Sequence, residues 1–100
     1  MNDIVNVWNR ILAHCSTNWV TPEYIFNTAT GIEFYIKRID ENTIHPVRIN
    51  KNSNLYDITK SVINSDLNSG RPINGNRPGE YSIPAPSYRY GLLNDKRIYI

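Results

Sequence analysis

Between residues 65 and 86 the chain places three of its five glycines and four of its six prolines. Proline lacks a backbone donor and blocks helix and sheet interiors, and glycine weakens both. Regular structure must therefore come from what lies on either side, residues 3–64 and 86–100. A loop of this length inside a small domain is unusual, and such loops are often functional. It runs through Gly70-Arg71-Pro72, Gly75-Asn76-Arg77-Pro78-Gly79, Pro84 and Pro86.

Upstream of this segment, residues 3–15 read as an amphipathic helix. Ile4, Trp8, Ile11, Leu12 and Cys15 recur at spacings of three and four, with Asn2 or Asp3 placed to cap the first turn. Tyr24, Phe26 and Thr28 alternate, although Thr21-Pro22-Glu23 could instead open a short helix. Ala29-Thr30-Gly31 reads as a turn in which glycine supplies a positive φ. Ile32, Phe34 and Ile36 alternate with Glu33, Tyr35 and Lys37, the pattern of a half-buried strand. After a turn at Asp40-Glu41-Asn42, a third strand is expected over Thr43–Ile49. Its Pro46 places that strand at an edge or at a bulge.

Leu55, Ile58 and Val62 give a second helical stripe, running to about Asn64. Beyond the loop, Pro86-Ser87-Tyr88 reopens a helical pattern with Leu92 and Leu93, kept short by Gly91. Ile98-Tyr99-Ile100 alternates and could add a short C-terminal strand. The expected fold is α+β: an N-terminal helix, a three-stranded antiparallel meander, and two further helices packed on one face.

Length and composition bound the rest. One hundred residues make a single domain over 1–100, and 40% apolar content suits a globular core. Cys15 stands alone, so no intrachain disulfide forms, which points to a reducing compartment. No apolar run approaches the ~20 residues of a membrane span. The opening Met-Asn-Asp-Ile-Val-Asn-Val-Trp has no basic stretch and does not read as a signal peptide. The expectation is a cytoplasmic protein without a membrane partner.

Two stretches carry a resemblance. Phe26-x-Thr28-x-x-Gly31-x-x-Phe34 and Pro86-Ser87-Tyr88-x-x-x-Leu92-Leu93-x-Asp95-x-Arg97-Ile98 resemble a set of small, uncharacterised bacterial proteins. In that set the first motif runs on to an aromatic residue, where this chain has Ile36. A basic residue of the next strand corresponds to Arg48, and an acid with an apolar neighbour in the next helix to Asp57-Ile58. The resemblance implies a shared fold and carries no activity. Proteins of this kind also occur as products of mobile (integron) gene cassettes.

The residues give little chemistry. Cys15 follows His14, but neighbouring helical residues point ~100° apart, and Cys15 lies on the apolar stripe as a small hydrophobe. One cysteine with His14 and His45 is too few soft ligands for zinc, so neither metal nor cofactor is expected. Asp40 and Glu41 are turn carboxylates of the kind usually left solvated. Neither a Gly-x-Ser-x-Gly elbow nor a phosphate-binding Gly-x-x-x-x-Gly-Lys loop is present.

The net charge of +2 is small, but the C-terminal third is its basic end. Arg71, Arg77, Tyr81, Tyr88, Arg89, Lys96 and Arg97 form the candidate binding set there. Arginine pairs phosphates and carboxylates bidentately, and tyrosine stacks on bases or partner side chains. The plain alternative is that Tyr88 is core, that Arg97 pairs with Asp95 or Asp57, and that the loop arginines only keep the loop solvated.

Three functions follow in order. The first is a non-catalytic module that binds a protein, or a second copy of itself, with the Pro46 strand and exposed tyrosines serving a symmetric dimer. The second is a nucleic-acid-binding domain using the basic, tyrosine-containing region. The third is a hydrolase or nuclease, for which no convergent catalytic set is visible.

Overall fold

The computed structural model describes residues 1–49, 57–69 and 86–100. Seven elements follow in order: α1 (Ile4–Ala13), β1 (Phe26–Asn27), β2 (Glu33–Asp40), β3 (Thr43–Arg48), β4 (Ile58–Thr59), α2 (Lys60–Leu67) and α3 (Pro86–Leu93). The strands form one antiparallel sheet in the order β1-β2-β3-β4. The fold is α+β, as the sequence pattern implies. Among the described residues no helix is long and apolar enough to cross a membrane.

The long β2–β3 hairpin sets two faces. Cross-strand partners share a face, and successive residues alternate. Phe34 is opposite Arg48, Ile36 opposite Pro46 and Arg38 opposite Ile44, which places these six on one side. Phe26 opposite Phe34 and Ile58 opposite Ile44 extend that side across β1 and β4. Phe26, Phe34, Ile36, Ile44 and Ile58 are fully buried there. All three helices join the same core, through Val7, Trp8 and Ile11 of α1, Ile63 of α2, and Tyr88, Tyr90, Leu92 and Leu93 of α3. Tyr35 opposite Val47 and Lys37 opposite His45 point to the other face.

Local chemistry fixes the ends of these elements. Asp3 caps α1 by accepting from the Asn6 amide at 2.8 Å. Gly31 closes the β1–β2 turn with φ +85° and donates to the Thr28 carbonyl at 3.0 Å. At the β2–β3 turn the Asn42 amide donates to the Asp40 carboxylate at 2.7 Å. The indole of Trp8 donates to the Glu41 carbonyl at 2.8 Å, which ties α1 to the same turn. The termini are stitched together by Arg10, whose guanidinium donates to the Met1 and Ile98 carbonyls and to the Asn2 side chain.

Four sequence expectations change. The meander has a fourth strand, because Ile58 pairs with Ile44 instead of belonging to a helix. The second helix accordingly runs over Lys60–Leu67, capped by Thr59, and buries Ile63 in place of Val62. Ile98-Tyr99-Ile100 adds no strand: Ile98 is buried in a turn whose amides return to Asp95. The Pro46 strand is internal, paired with β2 along its length and with β4 at Thr43 and Ile44. Proline is tolerated because the ladder bonds to β2 alternate. Ile49 donates to Glu33, so the bonded positions are the odd ones and the position of the missing N–H at 46 faces away from β2.

Gly91 has a packing reason beyond helix shortening. A Cβ at this position would come within 2.8 Å of the Asn27 carbonyl and 3.2 Å of the Phe34 ring. Its absence lets α3 lie directly on β1 and β2.

One ion pair joins the two later helices. Arg89 of α3 is fully buried, and its Nε and Nη2 reach the two carboxylate oxygens of Asp66 on α2 at 2.7 and 3.1 Å. A desolvated pair of this kind is costly to break, because the remaining charge has no water to turn to. Asp66→Ala should lower unfolding stability by about 3–5 kcal/mol. Urea denaturation followed by circular dichroism measures it, and a loss below about 1 kcal/mol would mean the pair behaves as a solvated one.

Candidate functional site

The structure separates the described members of the basic and aromatic set. Tyr88 is buried, with its ring edge-to-face on Phe34 at 4.9 Å, and burial pushes its phenol pKa upward. Arg89 is the buried partner of Asp66. Both are corrections: each belongs to the core and cannot meet a partner on the surface. Arg97 is exposed but occupied. It chelates Asp95 through Nε and Nη2 at 2.9 Å each, donates to the Ile25 carbonyl at 2.6 Å, and lies 4.4 Å from the Phe26 ring centroid. That bond holds the Asp95 carboxyl below its ordinary pKa. Lys96 is exposed and has no bonded partner among the described residues. Arg71, Arg77 and Tyr81 lie outside the described residues.

The tyrosines assigned to a dimer surface are not exposed as a group. Tyr35 is buried with Tyr88 and Tyr90, Tyr24 is half-buried, and Tyr99 alone among the described tyrosines is exposed. Cys15 packs against the core half-buried, with Sγ 3.5 Å from the Ile11 carbonyl. Burial raises its pKa to about 11 against the pull of Arg38, so the unreactive thiol is retained at neutral pH. His14 contacts the Arg10 carbonyl at 2.7 Å through Nδ1 and packs its ring edge-on against Tyr24 at 4.8 Å.

A different constellation forms on the face of the sheet opposite the described helices, where Tyr35 is itself buried. Lys37 on β2 and His45 on β3 are register partners. Asp57 immediately precedes β4, and its carboxylate meets His45 Nδ1 at 2.7 Å. On the other side the Lys37 ammonium lies 3.8 Å from the centroid of the Trp19 ring. Trp19, Lys37, His45 and Asp57 thus make one continuous row across three strands and the adjoining loop. Beside it on the same face lie Tyr35 and Val47.

Trp19 is held out in water by its own loop. Ser16 continues the β2 edge by donating its amide to the Ile36 carbonyl at 2.9 Å, and the Trp19 indole donates to the Ser16 carbonyl at 3.1 Å. Glu23 closes the loop from the far side. Its carboxylate accepts from the Thr17 amide at 2.9 Å, the Thr17 hydroxyl at 2.6 Å and the Asn18 amide at 3.3 Å. The ring is nevertheless 54% exposed, and Val20 beside it is 91% exposed. Ile39, two residues beyond Lys37 at a β-bulge between Arg38 and Asp40, is a further exposed apolar side chain.

Sequence reading missed this row because its members are far apart in the chain. Trp19 falls between the predicted elements, and Asp57 was assigned to a helix. The available signal was the alternation of β2, which assigned Lys37 to the side opposite Phe34 and Ile36. A cleft of about 470 Å³ lies near the β2–β3 turn, lined by Ile4, Asn42, Thr43, Thr59 and Lys60 among others. There the Thr59 hydroxyl is committed to the Val62 amide as the cap of α2. Comparison with known protein families, with curated proteins and with solved structures returns no match.

The loop that presents Trp19 depends on an ionised carboxylate. The hydrogen bonds from Thr17, foremost its hydroxyl, hold the Glu23 pKa at about 2, against an ordinary 4.5. A depressed carboxyl pKa adds stability above the ordinary value, and that stability is lost as pH falls toward the folded value. The exposed-tryptophan fluorescence should therefore hold through pH 4.5 and change as pH approaches about 2. Glu23→Gln should abolish this acid step while leaving the buried Trp8 signal in place; an acid profile identical to wild type would contradict the role of Glu23.

Proposed function

We propose that this chain is a non-catalytic binding module that meets a protein partner, its own copy included, through the Trp19–Lys37–His45–Asp57 face. The observation that carries the reading is a tryptophan more than half exposed yet fixed by two contacts, an indole hydrogen bond and a lysine on its ring face. Exposing a large ring costs free energy in the isolated molecule, and fixing it in advance lowers the entropy lost on binding. Tryptophan is the residue type most enriched at the energetic centres of protein interfaces. Val20 and Ile39 add exposed apolar surface to the same region.

The other two readings receive less from the structure. Nucleic-acid binding loses Tyr88 and Arg89 to the core, and Arg97 to Asp95. For hydrolysis, His45 and Asp57 do form an imidazole–carboxylate contact. The Asp57 carboxylate is 50% exposed, so water competes there with any substrate. The arrangement suits recognition better than proton transfer.

The test uses the immobilised chain against an extract of its source cells. Trp19→Ala should reduce retention of bound protein roughly 30-fold, the effect of losing a central anchor. Val5→Ala, at an exposed position on α1, serves as the control and should retain as wild type does. Equal retention by all three, or none by any, rejects this face as the contact surface.

A further inference from the structure

The row has a polarity that says which protein would fit it. It begins with a cation at Lys37, passes through His45 and ends with an anion at Asp57. Adjacent strands are about 4.8 Å apart, so the two charges stand about 10 Å apart at the backbone with β3 between them. A two-fold axis lying along β3, over His45, carries each end of the row onto the opposite end. Lys37 of one copy then faces Asp57 of the other, twice. The surface is its own complement, which is the requirement of an isologous contact. We infer that the partner of this face is a second copy of this chain, packed β3 against β3 about that axis, with two reciprocal Lys37–Asp57 pairs between the copies.

The inference rests on the reading of the face as a protein-binding surface and adds the identity of the partner. Three further observations agree with the geometry. His45 occupies only Oδ1 of Asp57, and Oδ2 has no bonded partner among the described residues. Val47, half-buried two positions along β3, lies under the same axis and would meet its equivalent. Trp19 stands one step outside Lys37. The two-fold axis therefore carries it past Asp57 to the β4 side of the other copy, where it acts as the apolar anchor flanking each ion pair.

The arrangement makes an exacting charge-swap test. Sedimentation velocity over a wide concentration series should show reversible dimerisation of the wild-type chain. Lys37→Asp and Asp57→Lys should each weaken dimerisation by at least about tenfold, because each places like charges opposite one another twice. An equimolar mixture of the two single variants pairs every charge correctly and should regain dimers close to wild-type affinity, as should the double variant. Circular dichroism establishes that each variant is folded. If Asp57→Lys does not fold, Asp57→Asn takes its place and should weaken dimerisation less than Lys37→Asp does. A wild-type chain that stays monomeric throughout overturns the inference, and so does a mixture no tighter than the single variants. A monomeric wild type whose capture of other protein still depends on Trp19 overturns the self-partner alone; loss of that dependence overturns the reading of the face as well.

Discussion

The register of β2 against β3 is the constraint on which the rest of this structure depends. Strand side chains alternate with a period of two, so a slip of one residue would turn every side chain to the opposite face. In the observed register Ile36, Ile44 and Phe34 enter the core while Lys37 and His45 face away from the helices. Slipped by one against β2, β3 would turn His45 inward and Ile44, fully buried and worth about 1.5–3 kcal/mol in the core, outward. The turn defends this choice. Asn42 is bonded to the Asp40 carboxylate, the Trp8 indole grips the Glu41 carbonyl, and the bulge at Ile39 absorbs the one extra residue.

Once the sheet has an inner face, the helices are placed by a mixture of apolar contact and one buried charge pair. Gly91 lets α3 approach the Asn27 backbone and the Phe34 ring. Arg89, in the middle of that helix, is a fully buried cation gripped bidentately by Asp66. The pair therefore orients α3 as well as attaching it, since a rotated helix would break the bidentate contact. Its two residues stand before the first and after the last of the glycines and prolines at 70–86, so the pair spans them in sequence. Arg10 and Asn2 do comparable work at the termini with exposed and partly buried hydrogen bonds.

Much of the fold was legible because it rests on period. The apolar spacing of Ile4, Trp8 and Ile11 and the alternation through Phe34 and Ile36 marked α1 and β2, and Gly31 marked its turn. The β4–α2 junction was not legible, since Ile58 fits a helical stripe and a strand equally well over so short a run. Arg89 misled for a chemical reason. Arginine is seldom fully buried, and nothing local announces that Asp66, many residues earlier, will meet it. The candidate site failed to show for the same cause: Trp19, Lys37, His45 and Asp57 become neighbours only after the hairpin has formed.

On the proposed function, the surface opposite the described helices is the working part of the molecule. Its presentation depends on a loop tied by Glu23, and its pattern depends on the hairpin register. The most direct measurement is amide and indole NMR along a dilution series, with unlabelled chain or partner added back. The account predicts that the Trp19 indole and the amides of Lys37, His45, Val47 and Asp57 shift together with one binding constant, while Val7 and Ile63 stay fixed. Shifts gathered instead on the exposed side of α1 or around the termini, with the row unmoved, would contradict it.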